Sequence, residues 1–283
     1  MTNLRIGLPS KGRLSEQAAD LLKQAGLSFR RQSRSLFARV SELSVDLIFL
    51  RADDIPVLCA EGAIDMGISG SDLVSETGVK VETRLALDMG KCRLAVCTPI
   101  NSEITTPAQL DGCRIATSFP QITERYLTQH HAAAHLVTLS GSVEIMIGLG
   151  VAHAIVDLVE TGSTLAANQL RILDNIGSYE TILIQNHERR HAQVADRVVR
   201  RLEGVVIAKS YSLLEYNIPR DKLAAAKEIA PGYHSPTVNS LEDPNWCAVE
   251  IMVKRGDVID MMEKLEAIGA SAILETQIKN CRL

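Results

Sequence analysis

Short apolar runs recur along this chain, each ending in a small or polar turn that opens into a segment of helical periodicity. Leu4–Leu8 reads as a strand and Pro9–Arg13 as a turn; the next stretch reads as a helix capped by Ser15 and stopped by Gly26, with Ala18, Leu21, Leu22 and Ala25 on one face. Val45–Leu50 leads to a helix near Ile55–Glu61, and Asp65–Ser69 is a buried strand ending at Gly70. Apolar strands alternating with amphipathic helices bury their surfaces when helices cross between parallel strands, so the pattern predicts an α/β chain with a largely parallel sheet.

The rhythm restarts near Leu94, with strands at Leu94–Thr98, Arg114–Ser118, Leu136–Leu139 and Ala154–Val156 and helices at Ile122–Gln129 and Val143–Leu149. This predicts a second lobe over residues 94–178. The first lobe, residues 1–93, is rejoined by 179–209: a strand at Tyr179–Gln185, then a helix over Ala192–Lys209 with Val194, Val198, Val199, Leu202 and Val206 at helical spacing. Residues 210–283 read as strand, helix, two strands, helix and strand, the ferredoxin-like order, in a module able to bind a small ligand or a copy of itself.

With 283 residues, 46% of them hydrophobic, the chain can bury more than one core. A formal net charge of −4 argues against nucleic-acid or membrane-surface binding, so any anion site is local. The start has no signal-peptide pattern and no run of about 18 apolar residues occurs, which predicts a cytoplasmic protein. Six scattered cysteines without a CxxC pair read as buried thiols rather than disulfides or a zinc site.

The sharpest chemical feature is Asp157–Leu165, where an apolar strand ends in acids and turns through Thr161, Gly162, Ser163 and Thr164. Free N–H groups at a helix start, a glycine permitting close approach and three hydroxyls suit a phosphate, while Asp157 and Glu160 beside it suit ribose hydroxyls or a magnesium-bound pyrophosphate. The loop also fits an ordinary helix cap with solvated acids. Thr117–Pro120 and Ser140–Glu144 repeat the strand, small turn and helix arrangement, and three such turns converging on one cleft favour a site. Lys11, Arg13 and Arg51 follow strands of the first lobe and are candidate cations for a triphosphate or pyrophosphate; each alone also fits a surface charge. Asp53-Asp54 and Asp72 read as helix caps. His131 and His135 have helical chelating spacing but no acid between them, and are left on the surface; GxSxG, GxxxxGK[ST] and GxGxxG are absent.

Leu8-Pro9-Ser10-Lys11-Gly12-Arg13-Leu14, Arg51–Pro56, Gly67–Asp72, Ala116–Pro120, Gly141–Glu144 and Asp157–Leu165 occur in that order, and together they resemble the long form of ATP phosphoribosyltransferase almost end to end. The resemblance implies the first step of histidine biosynthesis: N1 of the ATP adenine attacks C1 of phosphoribosyl pyrophosphate, giving phosphoribosyl-ATP and pyrophosphate with magnesium required. It implies a two-lobed catalytic portion like type II periplasmic binding proteins and a C-terminal ferredoxin-like (ACT-like) regulatory domain. Histidine and AMP are implied as inhibitors, and dimers that assemble into hexamers as the homo-oligomer.

Carried onto this sequence, the resemblance makes Asp157, Glu160, Thr161, Gly162, Ser163 and Thr164 the phosphoribosyl pyrophosphate loop. Lys11, Arg13, Arg51 and Glu144 become the catalytic set, and Lys11, Arg13, Asp72 and Ser118 the ATP contacts. Magnesium is held through substrate, with Glu144 or Asp157 as its protein ligand. Asn217, Ser235, Thr237 and Ala272 match the histidine pocket, with Asn217 where related sequences carry Asp. Met146-Ile147 stand where Ala-Pro is expected, and His153 where Asp is common. A solute-binding module is the rival from another class, since two-lobed α/β proteins bind amino acids and anions without chemistry; the missing export signal weighs against it.

Overall fold

The structure, a computed structural model, describes residues 3–32 and 35–283. The chain divides into two compact units: one runs up to Ala19 and over Phe29–Ala195, and the other comprises Asp20–Ser28 and Asp196–Leu283.

In the first unit the amino-terminal rhythm becomes a six-stranded sheet. Its elements begin with β1 (Leu4–Pro9), α1 (Arg13–Gln24), β2 (Phe37–Arg39), β3 (Val45–Leu50) and α2 (Asp54–Ala60). β4 (Met66–Gly70), α3 (Ser71–Thr77) and β5 (Glu82–Ala86) follow. β1 lies parallel to β3 and β4 at the centre of the sheet, and Leu4, Ile6 and Leu8, which share one of its faces, are fully buried. Gly7 and Gly67 pair across β1 and β4, and a Cβ on either would come within 2.5 Å of an isoleucine methyl, from Ile64 or Ile55. Glycine is therefore what lets Ile55, on α2, press onto the strands. Gly67→Ala is expected to destabilise the protein by about 1–3 kcal/mol through overpacking, read as a lower denaturant midpoint.

A five-stranded sheet follows, from β6 (Cys92–Pro99), β7 (Arg114–Thr117), α4 (Pro120–Gln129), β8 (His135–Thr138), α5 (Ile145–Gly148), β9 (Ala154–Val159), α6 (Ser163–Ala167) and β10 (Leu170–Tyr179), in the order β10-β6-β9-β7-β8. β11 (Thr181–Gln185) then pairs antiparallel with β4 and β5 in the first sheet. The backbone thus crosses between the sheets twice, at residues 87–91 and at Glu180. The crossings are tied together, Leu87 donating to Thr181 O and Thr181 to Met89 O, at 3.0 and 2.9 Å.

Several local expectations are corrected. α1 starts at Arg13, straight after Gly12 at φ 78°, so Ser15 lies inside the helix rather than capping it. α5 is four residues long, and β9 continues to Val159, which makes Asp157 a strand residue. β2, β5 and β10 carry too little apolar alternation to read as strands from sequence.

The second unit contains the carboxyl-terminal part of α7 (Ala192–Lys209), then β12 (Tyr211–Pro219), α8 (Leu223–Ile229), β13 (Thr237–Ser240), β14 (Trp246–Lys254), α9 (Val258–Ala267) and β15 (Ser271–Gln277). The sheet order β13-β14-β12-β15, antiparallel throughout, is the ferredoxin-like arrangement. Leu214, Tyr216 and Ile218 alternate into a core with Ala226, Val258 and Leu265. Among the described residues the buried Tyr216 hydroxyl has no hydrogen-bond partner. Tyr216→Phe is expected to stabilise this unit by about 1 kcal/mol, seen as a raised Tm, because it removes an unsatisfied polar group and keeps the ring. All six cysteines are free; Cys59, Cys97 and Cys247 are buried, whereas Cys92, Cys113 and Cys281 are partly exposed, against the reading of six buried thiols. No described helix is long and apolar enough to cross a membrane.

Candidate active site

β7, β8 and β9 run parallel, so their carboxyl ends share one sheet edge. From that edge Ser142 and Glu144, after β8, meet Asp157, in β9, and Glu160–Thr164, after it, around a cavity of about 380 Å³. The third small turn does not join them. The Thr117 hydroxyl accepts from Phe119 N at 2.9 Å, and the first amides of α4, Gln121 and Ile122, donate to the Glu76 carboxylate at 2.8 and 2.9 Å. The amides of Phe119, Gln121 and Ile122 are thus engaged within the protein.

Asp157 stands half-buried at the cavity wall. Burial raises its pKa above the ordinary carboxyl value and the nearby charge of Glu144 adds to the rise, while the hydrogen bond from Leu158 N, at 2.8 Å, acts the other way. A folded-state pKa above the unfolded one means that the native state binds this proton more tightly. The stability it contributes is present below the unfolded value of about 3.9 and is lost as pH rises through the folded one. Asp157→Asn is therefore expected to raise Tm at neutral pH, with no gain near pH 3, in paired melting curves.

The loop itself turns at Gly162, whose φ of 80° is left-handed and favours glycine. Ala166 N makes the first bond of α6, to Gly162 O, which leaves the N–H groups of Ser163, Thr164 and Leu165 outside the helical ladder. The Thr161 and Ser163 hydroxyls lie 3.1 Å apart. α6 has five residues, too short for a substantial dipole, so the donors here are individual amides and hydroxyls.

The cations gather at the carboxyl ends of β1 and β3. Pro9 registers with Leu50, and Ser10 N donates to Leu50 O at 2.7 Å, so Lys11 and Arg51 leave adjacent strand ends, both exposed. Arg13 reaches the other sheet and pairs with Glu160, which raises the pKa of its guanidinium. Sequence reasoning passed over Arg31, whose guanidinium lies 3.8 Å over the Phe49 ring and donates to Ser10 O at 3.3 Å, bracing the turn that carries Lys11. The paired basic residues Arg30-Arg31 were the available signal.

A larger cavity, about 610 Å³, opens where the backbone crosses between the sheets and shares Val159 and Glu160 with the loop. Ser71, Lys91, Cys92, Arg93, Tyr179 and Glu180 line it. Apart from Ser71, in the Gly67–Asp72 stretch, none belongs to a motif singled out from the sequence; their common property is position beside the crossings. Lys91 pairs with Asp88 at 2.5 Å, and burial lifts the Cys92 thiol to about 11, keeping it protonated. Asp72, nearby and 7% exposed, has its pKa raised by burial against hydrogen bonds from the Leu73 and Asp72 N–H groups. Its carboxylate folds over Gly70, where a Cβ would collide with it. Ser118 is half-buried after β7 and lines neither cavity.

Asp53 occupies the N-cap position of α2 without a side-chain cap bond. His131 lies beyond α4 at φ 55° and His135 is in β8, so they share no helix. Met146 and Ile147 pack against the Ile155 core, and His153 Nδ1 accepts from Arg114 N at 3.0 Å, so these three departures from the expected pattern are absorbed structurally. In the ferredoxin-like sheet Asn217 pairs with Ala248 and Thr237 with Glu250; both face away from the buried core, with β14 between their strands. Ala272 sits at φ 49° in an irregularity beside Asn217, and Ser235 is exposed just before β13. Among the described residues no three His, Cys, Asp or Glu side chains cluster as a metal cage.

Comparison with known proteins adds to this geometry. The family model for ATP phosphoribosyltransferase matches residues 51–204, and that for the HisG C-terminal domain matches 208–280. An ATP phosphoribosyltransferase of Rhodopirellula baltica is 67% identical over 280 residues, covering 99% of this chain and 94% of that protein. One from Mycobacterium tuberculosis is 38% identical over 283 residues, covering 99% of each. Among solved structures, the ATP phosphoribosyl transferase (HisG:HisZ) complex from Thermotoga maritima aligns with a TM-score of 0.66 at 28% identity, over 73% of this chain and 99% of that one. A substrate binding protein of an amino acid ABC transporter aligns at TM-score 0.50 and 14% identity, over 73% of this chain and 94% of that one, a likeness of fold.

Proposed function

The chain belongs to the ATP phosphoribosyltransferase family, the enzymes of the first step of histidine biosynthesis, and on that premise we propose how its own residues carry out the transfer. Phosphoribosyl pyrophosphate rests on the second sheet, its 5′-phosphate on the amides and hydroxyls of Thr161–Thr164. Glu144 and Asp157 face the ribose. The observation that carries this reading is the convergence of Glu144, Asp157 and the Gly162 turn on one cavity.

ATP lies against the first sheet, its phosphates toward Lys11 and Arg51 and its base in the larger cavity by Tyr179, Cys92 and Asp72. Arg13, already across from Glu160, is the cation that turns to the leaving pyrophosphate. As the C1–oxygen bond breaks, its electron pair leaves with pyrophosphate and positive charge grows at C1, where N1 of adenine forms the new bond. That nitrogen carries a lone pair, so no proton need leave before attack. The carboxylates stabilise the growing positive charge and the cations the negative one, with most of the rate coming from this preorganised field and from holding two anionic substrates in line.

Magnesium fits the same cavity. Glu144 and Asp157 place two carboxylates near enough for one to raise the other's pKa, a repulsion that a divalent cation relieves. A site of one or two carboxylates, completed by substrate oxygens, matches magnesium's usual coordination, and the bound ion would neutralise pyrophosphate charge.

Histidine and AMP as inhibitors, assembly from dimers to hexamers, and residence in the cytoplasm complete the proposal. Asn217 offers an amide where a carboxylate would attract the ligand's ammonium, so Asn217→Asp is expected to tighten histidine binding in calorimetry; unchanged affinity would remove Asn217 from the pocket. The reaction is tested by nuclear magnetic resonance of the product formed from ATP and phosphoribosyl pyrophosphate. A ribose C1 to adenine N1 linkage is expected; attachment at another atom would overturn the arrangement.

A further inference from the structure

Residues of α3 and α4 join the two sheets through contacts outside the loop cavity. α3 follows β4 of the first sheet, and α4 follows β7 of the second. Glu76, on α3, uses both carboxylate oxygens: Oε1 accepts from Gln121 N at 2.8 Å and Oε2 from Ile122 N at 2.9 Å. The contact is reciprocated by Arg125, on α4, which donates to the Ser75 carbonyl at 2.8 Å and the Ser75 hydroxyl at 3.2 Å. Ser75 in turn hydrogen-bonds Tyr179, beside the second crossing, and Leu73 packs into the core of the second sheet.

We propose that Glu76 and Arg125 are positioning residues, a two-way latch that fixes the orientation of the second sheet relative to the first. A carboxylate bound bidentately to two helix amides is directional, and here those amides begin the helix that follows the Ser118 turn. A salt bridge also joins the two sheets, Arg13 with Glu160; it is exposed at the site and is the contact substrate would disturb. The latch holds the lobes in line while that pair exchanges. It rests on the proposed reaction only for its catalytic consequence, since the loop cavity is built wholly from the second sheet and needs no help from α3.

The test is Glu76→Gln in the full-length chain, which leaves one acceptor for two N–H donors. Hydrogen exchange is expected to accelerate in α3 and at both crossings, residues 87–91 and 179–181. In the same variant kcat is expected to fall at least about tenfold while affinity for phosphoribosyl pyrophosphate stays unchanged, because misaligned lobes impair transfer and not the loop. Acceleration confined to the first turn of α4, with kcat unchanged, would reduce Glu76 to a local cap and overturn the latch. A parallel loss of phosphoribosyl pyrophosphate affinity would do the same. Arg125→Met, which breaks the contact from an exposed side chain, must reproduce the pattern and serves if Glu76→Gln does not fold. Should the wild-type chain form no product, the proposed reaction fails, and the exchange pattern still decides the latch.

Discussion

Thr161→Ala combined with Thr164→Ala is expected to weaken binding of phosphoribosyl pyrophosphate by about 3 kcal/mol, roughly a hundredfold in Kd, with little change in stability. Both hydroxyls are exposed on the loop, so their removal leaves no cavity. What is lost is two donors to a charged phosphate, each worth about 1.5–3 kcal/mol when the acceptor is ionised. Calorimetric titration of the double variant measures the effect directly. Unchanged affinity would move the phosphate away from the Gly162 turn, while the amides of Ser163–Leu165 would account for any binding that persists.

Arg13→Met should leave the fold intact and lower kcat by about 10²–10³-fold, the usual cost of removing one preorganised group that stabilises transition-state charge. The two outcomes separate because the Arg13 and Glu160 side chains are 60% and 44% exposed, so solvent screens their ion pair and it contributes little to stability. Arg13→Lys refines the result: it keeps the charge and loses the planar fork, so partial recovery would assign Arg13 to bidentate contact with pyrophosphate. Steady-state kinetics with both substrates, alongside melting curves, distinguishes this from a folding defect. Full activity in Arg13→Met would leave Lys11 and Arg51 to hold the leaving group.

Much of this architecture was legible in the sequence because buried parallel strands carry few polar residues to confuse the pattern. β1, β3 and β4 read as apolar runs, and the ferredoxin-like order followed from six alternating segments. β10 was missed for the opposite reason: two irregularities and a row of half-exposed residues break its alternation. The loop after β9 was legible because its chemistry is contiguous, with acids, hydroxyls and glycine in one stretch of chain. The cavity at the crossings was not, since Lys91 and Tyr179 are 88 positions apart in sequence and meet only through sheet pairing. Glu76 was invisible for a related reason. Nothing in Ser71–Thr77 shows that its carboxylate caps a helix 44 residues further on and so engages the first amides of α4.

A single turnover decides whether this chain carries out the transfer. Purified full-length protein incubated with ATP, phosphoribosyl pyrophosphate, magnesium and pyrophosphatase is expected to accumulate phosphoribosyl-ATP, followed by ultraviolet absorbance, and to lose that activity in the Thr161→Ala, Thr164→Ala variant at limiting phosphoribosyl pyrophosphate. No product at saturating concentrations of both substrates would contradict it.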